Sequence, residues 1–63
     1  MRFRIEIVRD DASTTAVIYS TTVDEISPNR AKRKAAALLD MYRGGGAKKA
    51  RVLNDRHEEL FTL

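Results

Sequence analysis

Ser27-Pro28-Asn29-Arg30-Ala31-Lys32-Arg33-Lys34-Ala35-Ala36-Ala37-Leu38-Leu39-Asp40-Met41-Tyr42-Arg43-Gly44-Gly45-Gly46 is the stretch on which the fold turns. Ser27 can accept hydrogen bonds from the free N–H groups of a helix start. Pro28 at the first helical position lacks only a donor that would be unused there. At about 100° per residue, Ala31, Ala35, Leu38, Leu39 and Tyr42 fall within one arc, with Arg30, Arg33, Lys34 and Asp40 opposite. The spacing predicts an amphipathic helix from Pro28 to about Arg43, lying on a sheet and closed by the three glycines.

Upstream, Phe3, Ile5 and Ile7 alternate with Arg2, Arg4 and Glu6, the period of a half-buried strand over Arg2 to Arg9. Asp10-Asp11-Ala12-Ser13 reads as a hairpin turn into a second strand, Thr14 to Val23, rich in β-branched residues. In that strand the expectation is that Val17, Tyr19 and Thr21 face the core, while Ala16, Ile18 and Ser20 face away. Downstream, Lys49 to Asn54 reads as strand 3, with Ala50 and Val52 on one face and Arg51 and Leu53 on the other. Asn54 to His57 forms a turn, and Glu58 to Leu63 is strand 4.

The predicted class is α+β in two layers, one helix on a four-stranded mainly antiparallel sheet in the order β-β-α-β-β. A crossover through the helix can set strand 3 beside strand 1 and give the sheet order 2-1-3-4, with other orders left open. Residues 1–63 make one domain, with an expected core of Phe3, Ile5, Ile7, Val17, Tyr19, Ala31, Ala35, Leu38, Leu39, Tyr42, Val52 and Phe61.

Val52-Leu53-Asn54-Asp55-Arg56-His57-Glu58-Glu59-Leu60-Phe61-Thr62-Leu63 resembles the last hairpin of small bacterial β-β-α-β-β domains of unknown function. In those a hydrophobic strand, an Asp, a short Gly-containing turn and a Leu-containing strand follow a helix. This chain departs by carrying His57 or Glu58 where the turn glycine is expected. The resemblance implies the architecture and no activity.

Charge is segregated. From Ser27 to Arg51, eight cations (Arg30, Lys32, Arg33, Lys34, Arg43, Lys48, Lys49, Arg51) face the single Asp40, a net +7 within a chain of net +3. Acid lies on both sides of this segment, Asp24 and Glu25 before it and Asp55, Glu58 and Glu59 after it. A clustered field attracts polyanions where scattered charge does not. Arg30, Arg33 and Lys34 near the helix start, extended by Lys48 and Lys49, are therefore the candidate anion or nucleic-acid contacts. The competing reading is a solvated helix face offset by the neighbouring acid.

Strand 2 carries a different lead. From Ala12 to Val23 there is neither charge nor proline, the devices that normally protect a sheet edge. In the order 2-1-3-4 this strand is an edge, so either that edge is used, with Ala16, Ile18 and Ser20 as the candidate dimer edge, or the order differs and strand 2 is central. Val8, Ile18, Leu53 and Leu60 are expected to give the open sheet face an apolar character.

Catalysis finds no support: His57 is the only histidine, cysteine is absent, and no base partner for Ser or Thr is evident. The glycines follow the helix instead of preceding it, which excludes a phosphate loop. Asp55, His57, Glu58 and Glu59 read as a solvated turn, with no metal and no cofactor expected. Alternating charge at the N-terminus is unlike a secretory signal, no membrane span is expected, and a reducing cytoplasm is the expected compartment. The expected function is a non-catalytic interaction domain acting through strand 2 or the open sheet face, by self-association or with another protein. The alternative is an accessory nucleic-acid binder using the basic helix face.

Overall fold

The computed structural model describes residues 1–10 and 14–63, so the hairpin turn expected at residues 10–13 lies largely outside the described residues. The elements run β1 Arg2–Asp10, β2 Thr15–Asp24, α1 Pro28–Tyr42, a short 3-10 turn Arg43–Gly45, β3 Lys49–Leu53 and β4 Glu59–Thr62. One four-stranded antiparallel sheet results, in the order β2-β1-β3-β4, with α1 packed against β1 and β3. The α+β class and element order are those the sequence predicts, and the strand order, open in the sequence, is the one a crossover through α1 allows.

The helix begins where a capping serine and a first-turn proline place it. Ser27 is extended (φ −154°), and its Oγ accepts a hydrogen bond from the Arg30 N–H at 3.3 Å. At the far end, Gly46 adopts φ 92° and donates its N–H to the Arg43 carbonyl, while Ala47 donates to Tyr42. The positive φ favours glycine at 46, where a Cβ would also lie 3.1 Å from Arg9 Cδ, a close contact that the long arginine side chain would have to yield.

Between the layers sit Phe3, Ile5 and Ile7 of β1, Val23 of β2, Ala31, Ala35 and Leu39 of α1, Ala47, and Ala50 and Val52 of β3. Ile18, Tyr19, Leu38, Tyr42, Phe61 and Leu63 close the margins as half-buried residues, and the Tyr19 and Tyr42 rings stack with centroids 4.9 Å apart. The helix thus meets the sheet through alanines at its centre and larger side chains at its edges.

Strand β2 departs from the expected facing. Ile7 opposes Tyr19, but Val8 opposes Val17, so Ile18 is an extra residue in a β-bulge. A bulge reverses the alternation beyond it. Tyr19 and Thr21 face α1 as expected, with Val23. Val17 does not: it lies opposite Val8, away from the core, and is 46% exposed. Ile18, expected to face away, packs against the core. Val8 is on the outer side as expected yet fully buried.

The β3–β4 hairpin turns on Asn54. Its Oδ1 accepts from the Arg56 and Glu58 N–H groups at 2.9 Å, and its Nδ2 donates to Glu58 Oε1 at 3.1 Å. His57 takes the left-handed conformation at φ 62°, a backbone that glycine adopts most readily. A second irregularity, between Val52 and Leu53, leaves Leu60 as the additional residue of β4.

Candidate interaction surfaces

The basic residues singled out in the sequence do not form one site. Arg30, Arg33 and Lys34 lie in the first two turns of α1, beside the end of β2. Lys48 and Lys49 follow its far end: Lys48 donates its backbone N–H to the Val8 carbonyl, at the opposite end of the sheet. At 1.5 Å rise per residue, α1 separates the two groups by about 20 Å. Two of the five cations are paired, Lys34 with Glu25 at 3.5 Å and Lys49 with Asp10 at 3.3 Å. Among the described residues Arg30, Arg33 and Lys48 make no ion pair and are exposed. Lys32 stands 5.0 Å above the Phe61 ring on the other flank of the helix. What remains near the helix start is two solvated guanidiniums and one neutralised lysine.

The outer face of the sheet is charged at its centre. Glu6, with a side chain only 15% exposed, accepts from Arg51 Nη2 at 2.7 Å and from Arg4 Nε at 3.3 Å. These three residues come together because Arg4 and Glu6 share a face of β1 and Glu6 opposes Arg51 across the ladder. Arg51 Nε is buried without a partner among the described residues. Of the residues expected to make this face apolar, Ile18 is absent and Leu53 is half-buried; Leu60 in its bulge is 39% exposed. The face is therefore a poor candidate for a dry interface. An open cleft of about 330 Å³ lies beside this face, lined by Arg2, Phe3, Arg4, Thr22, Asn54, Asp55 and His57. No group of three or more potential metal ligands occurs among the described residues, and no helix there is long and apolar enough to cross a membrane.

Strand β2 is the longest strand and an open edge. Glu25 donates its N–H to the Met1 carbonyl at 2.9 Å, which makes Glu25 and Met1 a hydrogen-bonded pair. Opposed residues of an antiparallel ladder alternate between hydrogen-bonded and non-hydrogen-bonded pairs. Asp24, Thr22 and Ser20, opposite Arg2, Arg4 and Glu6, therefore direct their N–H and C=O groups away from β1 toward solvent. Of the candidate edge residues, Ser20 lies in this regular run. Ile18 lies in the bulge and Ala16 beyond it, where the alternation is reversed. Three of the five large exposed apolar residues lie apart from one another: Val17 beyond the bulge on the outer face of the sheet, Ile26 just past β2, and Met41 on the flank of α1 that carries Lys34.

At the start of the strand, Asp10 is held by the Thr15 hydroxyl at 3.0 Å and by Lys49. The hydroxyl hydrogen bond first, and the ammonium second, hold its carboxyl below the usual carboxylate range. A lowered folded-state pKa adds stability above the unfolded value that is lost as pH falls through the folded one. Carboxyl-resolved NMR is expected to show Asp10 titrating at a lower pH than a model aspartate, and Thr15→Val is expected to move its midpoint upward. An unchanged midpoint in that variant would show that the hydroxyl contact does not form in solution.

No family model, no curated protein and no solved structure matches the chain.

Proposed function

We propose that this protein is a non-catalytic interaction domain that works by strand addition along β2. The observation that carries the reading is the open ten-residue edge, which contains no proline and, before Asp24, no charge. Natural sheets block such edges with lysine, proline, bulges or very short strands, because unpaired N–H and C=O groups template association; β2 has only the bulge at Ile18, which leaves Ser20 to Asp24 unprotected. The opposite edge is short: β4 has four residues. An extended partner laid along β2 gains main-chain hydrogen bonds to Ser20, Thr22 and Asp24, and the exposed Ile26 just past them supplies apolar contact.

Phosphate binding by the helix is the competing reading. Arg30 and Arg33 support it; the pairing of Lys34 and Lys49 and the distance to Lys48 weaken it. An amide-resolved NMR series separates the two, run from micromolar to millimolar protein and then with a short DNA duplex at two salt concentrations. Strand addition predicts concentration-dependent shifts and slowed amide exchange at Ser20, Thr22 and Asp24, with little response to salt. Shifts produced only by the duplex, confined to residues 28–51 and falling with salt at a log–log slope of about −3 to −4, would overturn it.

A further inference from the structure

We infer that the strand which β2 accepts is the β2 of a second copy, antiparallel about a two-fold axis at Thr22; this rests on the strand-addition reading. The bulge selects the register. Ser20, Thr22 and Asp24 direct their backbone groups outward, and at Ile18 the alternation breaks. Only registers that set even-numbered residues opposite one another bring outward groups face to face. Centred on Thr22, the ladder pairs Ser20 with the partner's Asp24, Thr22 with the partner's Thr22, and Asp24 with the partner's Ser20, all within the regular run. Centred on Thr21, the ladder keeps Ser20 opposite the partner's Thr22 but sets Asp24 against the partner's Ile18 in the bulge. Centred on Ser20, it retains a single matched pair. Centred on Val23, the ladder sets Thr22 against the partner's Asp24 but leaves Ser20 opposite the partner's Ile26, past the end of the strand, and centred on Asp24 it brings two aspartates together.

Side chains agree with the Thr22-centred register. The Ser20 hydroxyl can donate to the partner's Asp24 carboxylate on the outer face, and Thr22 meets the partner's Thr22, both favourable cross-strand pairs. On the helix side, Thr21 lies opposite the partner's Val23. Ile26, 80% exposed just past the strand, comes abreast of the partner's Ile18, which packs on the core. No like charges are placed directly opposite one another. Because α1 sits over β1 and β3, the two helices stand about four strand spacings apart, about 19 Å. That exceeds a helix diameter of about 10–12 Å, so the bundles do not collide. The product is a continuous eight-stranded sheet, a closed and isologous assembly.

Cysteine is absent from the chain, so a single introduced thiol reports the axis cleanly. Hydrogen-bonded antiparallel pairs hold Cα atoms about 5.5 Å apart, within disulfide reach. Sedimentation of the unmodified chain is expected to show a monomer–dimer equilibrium. Thr22→Cys is expected to oxidise to a covalent dimer at concentrations where Thr15→Cys, at the far end of β2, remains largely monomeric. Thr22→Lys, at an exposed position that does not threaten folding, is expected to raise the dimer dissociation constant at least tenfold. Monomer alone up to millimolar concentration, or equal cross-linking at Thr15 and Thr22, would overturn the inference. A monomer that still binds an unrelated β-strand peptide at Ser20 to Asp24 ends self-pairing and leaves strand addition standing. A dimer with unchanged amide exchange along β2 ends both.

Discussion

Ile5→Ala is expected to cost about 4 kcal/mol, about half or more of what holds the domain folded. Ile5 is fully buried at the centre of β1, an inner strand, opposite Thr21 on one side and Val52 on the other. Truncating a buried Ile to Ala loses about 2–5 kcal/mol, from lost transfer energy and the cavity left behind, and the cost is highest where neighbours cannot collapse inward. Here the layer above is built from Ala31 and Ala35, whose methyl groups have no reach. At about 0.05–0.15 kcal/mol per residue, a 63-residue chain without disulfides has about 3–9 kcal/mol in all. Urea unfolding followed by circular dichroism would measure the loss. Val17→Ala is the internal comparison: as a core residue it would lose well over 1 kcal/mol, and on the exposed side of the bulge it is expected to lose less than about 0.5. A loss below about 1 kcal/mol for Ile5→Ala, or equal losses for the two, would contradict the layer assignment.

Where the chain was readable, one local rule operated without competition. The period of two in Phe3, Ile5 and Ile7, the arc of Ala31, Ala35 and Leu39, the cap at Ser27 and the glycine at 46 each follow from a single preference, and the structure agrees with all of them. The 2-1-3-4 order follows because β2 and β3 run the same way on either side of β1, as a helical crossover requires. Strand β2 was harder to read. Ala16-Val17-Ile18-Tyr19 is four apolar residues in a row, so alternation assigns no face, and the bulge that decides the matter depends on how β2 pairs with β1. The adjacent large residues Ile18 and Tyr19, both turned toward the core, were the one local trace of it.

The candidate surfaces were legible to the same degree. That Glu25 lies near the basic helix start is visible in the sequence, and the Lys34–Glu25 pair follows from it. The bridge from Arg4 through Glu6 to Arg51 was not visible, since it joins residues 45 positions apart and needs the register of β3 on β1. It matters because it places charge where an apolar sheet face was expected, and so moves the weight of the interaction reading from the face of the sheet to its edge.

Ala35→Leu is expected to destabilise the domain by about 2–3 kcal/mol, although leucine is nearly as good a helix former as alanine. The cause is the seam between α1 and the sheet. Ala31, Ala35 and Ala50 are all fully buried, so the two layers approach through methyl groups where larger side chains would hold them apart. Three further carbon atoms at position 35 must lift the helix or drive a neighbour out of its rotamer. Either response disturbs α1's contacts with both β1 and β3 and withdraws Leu39 from the core. Ala37→Leu isolates the steric cause, because Ala37 lies exposed on the same helix and has the same intrinsic preference. That variant is expected to stay within about 0.5 kcal/mol of the unmodified chain in urea unfolding. Equal effects at 35 and 37 would mean that propensity governs and that the seam is looser than described. A stabilised Ala35→Leu would mean that a void lies beneath the helix, and would weaken the expectation for Ile5→Ala, which depends on small residues closing that layer.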